Sequence, residues 1–117
     1  YETEVKDINT LSEIFSILGF SKRLILEKYR ANFLFKEVKI SIDELPFGVY
    51  VELEGNENNI NEVAGELGLD TTKRITVTYW DLFEDYKKQY KITGESIVFP
   101  KGYKSQIMKL DWPEKGI

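Results

Sequence analysis

The chain of 117 residues contains no cysteine and no histidine. The first absence excludes disulfides, thiolate metal sites and cysteine nucleophiles. The second excludes a serine–histidine triad, an imidazole base and a histidine metal site. Chemistry, where there is any, must rest on carboxylates, lysine, arginine, tyrosine or a metal held by oxygen. Basic charge is also in short supply. Sixteen Lys and Arg against twenty Asp and Glu leave a net charge of −4, which argues against the broad basic surface that nonspecific nucleic-acid binding needs. No apolar run approaches the roughly 20 residues of a membrane span. No signal sequence is visible, so cytoplasmic residence without a membrane partner is the expectation.

What is present suffices for one small domain. Hydrophobic residues make up 42% and aromatics 14% of the chain, enough for a single modest core at this length. The organising stretch is Ile25 to Gly55, where three runs alternate with period two. Lys28, Arg30, Asn32 and Lys36 oppose Tyr29, Ala31, Phe33 and Phe35. Lys39, Ser41 and Asp43 oppose Val38, Ile40 and Ile42. Tyr50, Glu52 and Glu54 oppose Val49, Val51 and Leu53. Alternation of this kind predicts a sheet with one apolar and one ionised face. Lys36–Glu37 and Leu45–Pro46–Phe47–Gly48 are short connections, so the strands should be antiparallel neighbours.

Around this centre, Tyr1–Asp7 also alternates and reads as a strand. Thr10 to Glu13 has the capping-box pattern, and Leu11, Ile14, Phe15 and Leu18 form a helical stripe ended by Gly19. Asn59 to Glu62 repeats that pattern before a stripe of Ile60, Val63, Ala64 and Leu67. Ile75–Thr78 reads as a short strand. Thr78 then caps a third helix with Tyr79, Leu82, Phe83, Tyr86 and Tyr90 on one side. Ser96–Phe99 suggests a further short strand, Tyr103–Leu110 a helix, and Asp111–Ile117 a surface tail.

The ionised face has two readings. Lys28 and Arg30 beside Glu52 and Glu54 are cross-strand ion pairs on a solvated surface, or they are a site. Glu52 and Glu54, two apart on one strand, project into the same space. With Asp43 from the neighbouring strand they make three hard oxygen donors, suited to Mg2+ or Mn2+. Lys28 and Arg30 suit phosphate, the first as a point charge and the second by its planar fork. Cations on one wall and metal-holding carboxylates on another are what a triphosphate site needs. Lys101, Lys104 and Lys109 in the tail are either solubilising surface charge or groups at the mouth of such a site.

The chain resembles the CYTH family, the triphosphate tunnel metalloenzymes, which include class IV adenylate cyclases and thiamine triphosphatases. The resemblance rests on Tyr1–Glu2–Thr3–Glu4–Val5 with Asp7, Ile17–Leu18–Gly19–Phe20, Glu27–Lys28–Tyr29–Arg30, Ser41–Ile42–Asp43, Phe47–Gly48, Val51–Glu52–Leu53–Glu54, the Ile60–Leu69 helix and Thr78–Tyr79–Trp80–Asp81–Leu82. It implies an α+β fold: an antiparallel barrel around a charged tunnel, with helices outside. It further implies metal on Asp43, Glu52 and Glu54, and phosphate on Lys28 and Arg30, with Lys73 and Arg74 as additional basic groups. Glu2 would be a tunnel carboxylate. The family's N-terminal glutamate–x–glutamate–x–lysine strand is not found here. The chain is thus expected to be the C-terminal part of such a domain, 1–90, with an extension at 91–117. Its missing strands would come from upstream or from another chain, including a homodimer partner. The implied activity is metal-dependent processing of a triphosphate, by hydrolysis or by conversion of ATP to cyclic AMP and pyrophosphate. The alternative is a noncatalytic module that binds polyphosphate or nucleotides.

Overall fold

The structure is a computed structural model and describes residues 1–112. The helices are α1 (Ile8–Ile17), α2 (Glu57–Glu66) and α3 (Tyr79–Tyr90). The strands are β1 (Tyr29–Phe35), β2 (Val38–Leu45) and β3 (Gly48–Glu54). The architecture is α+β, with one antiparallel sheet in the order β1-β2-β3. Among the described residues the sheet stays open and does not close into a barrel, so β1 and β3 are its edges. No helix of the described residues is long and apolar enough to cross a membrane.

The register sorts the side chains as their alternation requires. Phe33, Ile40 and Leu53 line up across the sheet on one face, as do Ala31, Ile42 and Val51. On the other face Arg30, Asp43 and Tyr50 form one row, Asn32, Ser41 and Glu52 the next, and Leu34, Lys39 and Glu54 the third. Leu34 is the one apolar residue in those three rows, and it is exposed. The core sits under the apolar face, where Val63 of α2 packs on Val38 and Ile40 with Phe33, Phe35, Leu53 and Ile60 around them. A C-terminal strap covers the other end of that face. Phe99 packs on Tyr29 and Trp112 on Phe33, with ring centroids 5.1 and 5.0 Å apart. The opposite, ionised face is roofed at its Asp43 end by the start of α3.

Several local expectations are corrected. Tyr1–Asp7 and Ile75–Thr78 form no strand, because neither finds a sheet edge to pair with; an extended segment alone gains no ladder. The cap of α1 is Asp7, whose carboxylate accepts from the Thr10 amide, and not Thr10 itself. Asn56 caps α2 three residues ahead of the expected Asn59. Thr78 does cap α3, in a capping box with Asp81. Ser96–Phe99 contributes a single parallel bridge, Ile97 to Leu26. Tyr103–Leu110 contains only a 3-10 turn at Ile107–Lys109. Of the expected tail, Trp112 is half-buried on Phe33; residues 113–117 lie outside the described residues.

The β1–β2 hairpin carries a visible cost. Its two turn residues, Lys36 and Glu37, have φ of 49° and 60°. Left-handed backbone of this kind is disfavoured for any residue with a Cβ, by roughly 1–2 kcal/mol. The turn is held by α2, with the Lys36 ammonium between Glu62 and Glu66 and its carbonyl accepting from Asn59 at 3.2 Å. Replacing Glu37 by Gly should therefore raise unfolding stability by about 1 kcal/mol. Urea denaturation measures this, and an unchanged or lower midpoint would contradict a strained turn.

Candidate functional site

The site is built on the central strand. Position 43 lies on the ionised face of β2, flanked by β1 on one side and β3 on the other, so its side chain is shut off by neighbours on both flanks and by α3 above. Asp43 is 0% exposed. A carboxylate so placed must be matched by donors, since desolvating an unpaired charge costs several kcal/mol. Three groups match it. Lys28 Nζ lies 3.0 Å from Oδ2. Arg30 donates from Nε to Oδ1 and from Nη2 to Oδ2 in a bidentate fork. The Tyr79 hydroxyl donates to Oδ2 at 2.7 Å.

The cluster continues outward. Arg30 Nη2 reaches Glu52 Oε2 at 2.7 Å. Lys28 stands 5.3 Å over the Tyr79 ring, a cation–π distance, and Tyr50 packs on that ring at 5.5 Å. Beside it the Ser41 hydroxyl donates to Asn32 at 2.7 Å. Lys28 and Arg30 keep 27% and 28% of their side chains exposed, so both cations have a wet side and a dry side. Arg30 Nη1 makes no hydrogen bond among the described residues, and Lys28 has ammonium protons beyond the one directed at Asp43.

Charges respond to this packing. Burial pushes the Asp43 carboxyl up, but the hydrogen bonds from Arg30, Tyr79 and Lys28 outweigh it and hold it at about 2. Arg30 is raised, mainly by its bond to Asp43. Tyr79 is raised by burial first and then by its bond to Asp43. Its phenol therefore stays protonated and acts as a donor.

The expected site residues are brought together unevenly. Lys28, Arg30, Asp43 and Glu52 meet in one cluster. Glu54 stands one row further along, 80% exposed and 3.8 Å from Lys39. Among the described residues no group of three acidic side chains is gathered for a metal. Both oxygens of Asp43 are already taken by cations and a phenol, so the Asp43, Glu52 and Glu54 set does not fit a metal ion in this arrangement. Lys73 lies in a 3-10 turn at Thr71–Lys73, 83% exposed and 3.9 Å from Asp70, and Arg74 follows it exposed. Glu2 is exposed in the unpaired N-terminal segment. No hydrogen bond or ion pair among the described residues ties Lys73, Arg74 or Glu2 to the cluster. Lys101, Lys104 and Lys109 are all exposed.

Two participants escape sequence reasoning. Tyr79 falls on a helical stripe, where an aromatic ring reads as packing. Glu44 falls on the apolar face of β2, and that displacement is a signal in itself. Only 2% exposed, Glu44 accepts from Ser105 Oγ at 2.7 Å, from the amides of Gln106 and Ile107 at 2.9 and 3.0 Å, and from the Tyr103 hydroxyl. Burial raises its carboxyl, but the Gln106 and Ile107 amides and the two hydroxyls hold it at about 2.

Comparison with family models finds no match, nor does comparison with curated proteins or with solved structures.

The Glu44 contacts give a test with a defined sign. Its folded pKa lies below the ordinary 4.5, so its stabilisation is complete above pH 4.5 and disappears as pH falls towards about 2. Hydrogen-exchange protection of the Gln106 and Ile107 amides should fall over that window. Glu44→Ala should abolish the protection at neutral pH and cost about 2–3 kcal/mol of stability. Retained protection in the variant would show that the strap is held by something else.

Proposed function

We propose that the ionised face binds the phosphates of a triphosphate-bearing small molecule, with Lys28 and Arg30 as the anion-binding groups. The observation that carries this reading is the pair of part-exposed cations held side by side by one buried carboxylate. Asp43 fixes their positions before any ligand arrives, so little side-chain entropy is lost on binding. Arg30 Nη1 and the remaining Lys28 protons offer several donors to phosphate oxygens in a fixed array.

The wider proposal follows from the CYTH resemblance. The open sheet is part of a barrel completed by strands from elsewhere in the protein or from another chain. The reaction is hydrolysis of a triphosphate, or attack of the ribose hydroxyl of ATP on its α-phosphate to give cyclic AMP and pyrophosphate. The chain's own contribution is positioning and charge stabilisation by Lys28 and Arg30. Mg2+ or Mn2+ belongs to the same proposal and would neutralise phosphate charge when bound. Glu54, 80% exposed, is the carboxylate open to it, whereas Glu52 is paired with Arg30 and Asp43 is committed to its cations. Lys73, Arg74 and Glu2 join the site only on closure of the sheet.

The commitment of Asp43 favours a second reading, a noncatalytic module that binds polyphosphate or nucleotides. Calorimetry with tripolyphosphate and a phosphate-release assay with Mg2+ separate the two. Both readings predict binding, weakened about tenfold or more by Arg30→Ala; unchanged affinity would refute the anion site. Release of phosphate, or of pyrophosphate from ATP, that is abolished in Glu52→Ala and Glu54→Ala supports the enzyme. Binding without release supports the module.

A further inference from the structure

A guanidinium offers an oxyanion two forks of paired N–H donors. On Arg30 the side fork, Nε with Nη2, is filled by Asp43. Only the end fork, Nη1 with Nη2, remains for a bidentate contact with phosphate. Glu52 already holds half of it, with Oε2 2.7 Å from Nη2. A phosphate oxygen approaching that fork meets a carboxylate of its own sign at the donor it needs.

The two carboxylates on Arg30 are held very differently. Asp43 is fully buried and takes three donor side chains. It cannot leave without stranding a charge away from water. Glu52 sits on the edge strand β3 with 47% of its side chain exposed. Among the described residues Arg30 is its one hydrogen-bond partner. The Tyr79 hydroxyl beside it gives its proton to Asp43, and its row neighbours Ser41 and Asn32 bond to each other. Glu52 can therefore turn out into water, where the loss of a half-exposed ion pair costs little. Arg30 does not need it either, because Asp43 alone fixes the guanidinium through two hydrogen bonds.

We propose that Glu52 is an internal competitor for the anion site, resting on Arg30 Nη2 where a phosphate oxygen would bind and yielding only to an anion that displaces it. The inference rests on the reading of Lys28 and Arg30 as the phosphate-binding groups, and it holds for the enzyme and the module alike. It makes Glu52 a specificity-determining residue. Competition lowers the affinity of every anion that uses the end fork. A polyphosphate, with further oxygens on Lys28 and Nη1, tolerates that loss, whereas a lone phosphate with few contacts is left unbound.

Calorimetry with tripolyphosphate in metal-free buffer tests the proposal. Glu52→Gln removes the competing charge. Glu52→Asp keeps the charge but shortens the side chain by roughly 1.5 Å, out of hydrogen-bond reach of Nη2. Each should tighten binding about three- to fivefold. In an Arg30→Ala background Glu52→Gln should gain nothing, because the contested donor is gone. Circular dichroism checks folding, and Glu52→Asp keeps the test decisive where Arg30→Ala impairs it. Unchanged or weaker binding in both single variants, with Arg30→Ala still weakening it, would overturn the competitor and leave the anion site standing. Tightening by Glu52→Gln that persists without Arg30 would overturn it too, since a general field would then be the cause. Affinity indifferent to Arg30→Ala would overturn both the site and its competitor.

Discussion

A carboxylate without water is the constraint from which the rest of this structure can be reasoned. Asp43 sits in the middle of the central strand with none of its surface exposed, and only neighbouring donors make that position tolerable. Arg30 and Lys28 come from one flank and Tyr79 from above. Slipping β1 by one residue would move Arg30 to the apolar face and leave Asp43 unmatched, so the ion cluster and the apolar pattern demand the same register. Such a buried pair adds little net stability over an apolar replacement, yet it strongly penalises wrong arrangements. Its contribution here is best understood as specificity of pairing and the prepositioning of two cations.

The next residue does the same on the other side. Glu44 points to the apolar face and draws in the strap through Tyr103, Ser105 and two backbone amides. Adjacent residues of one strand face opposite ways, so two successive acids fasten two different layers to the sheet. Asp43 fastens α3 through Tyr79, and Glu44 fastens the C-terminal segment. The end of β2 is thus the junction of three layers, and the candidate anion site inherits its rigidity from that junction. At the other end of the sheet, α2 supplies the apolar core through Val63 and braces the strained Lys36–Glu37 turn.

Much of this was legible in the sequence for a simple reason. Period-two alternation in Ile25–Gly55 reports both the strands and the sides of the sheet, and the charge sorting of Lys28, Arg30, Glu52 and Asp43 follows from it directly. The helical stripes were equally plain, although their caps at Asp7 and Asn56 lay a few residues ahead of the expected ones. Alternation does not report whether a partner edge exists, and this is why Tyr1–Asp7 and Ile75–Thr78 read as strands yet form none. It also treats every acid on a polar face alike. Asp43, Glu52 and Glu54 looked like one converging set, whereas central position buries the first among cations, and edge position leaves Glu52 half-exposed against Arg30 and Glu54 in solvent. Tyr79 and the strap over Glu44 depend on contacts between segments 36 and about 60 residues apart, which no local pattern encodes.

The sheet register and the candidate anion site both depend on Asp43 being ionised, dry and held between Lys28 and Arg30. Carbon-13 NMR titration of its side-chain carboxyl tests this most directly. The expected midpoint is about 2, well below the ordinary 3.8. A midpoint at or above the ordinary value would contradict it, since burial would then be acting on a carboxylate that its supposed partners do not reach.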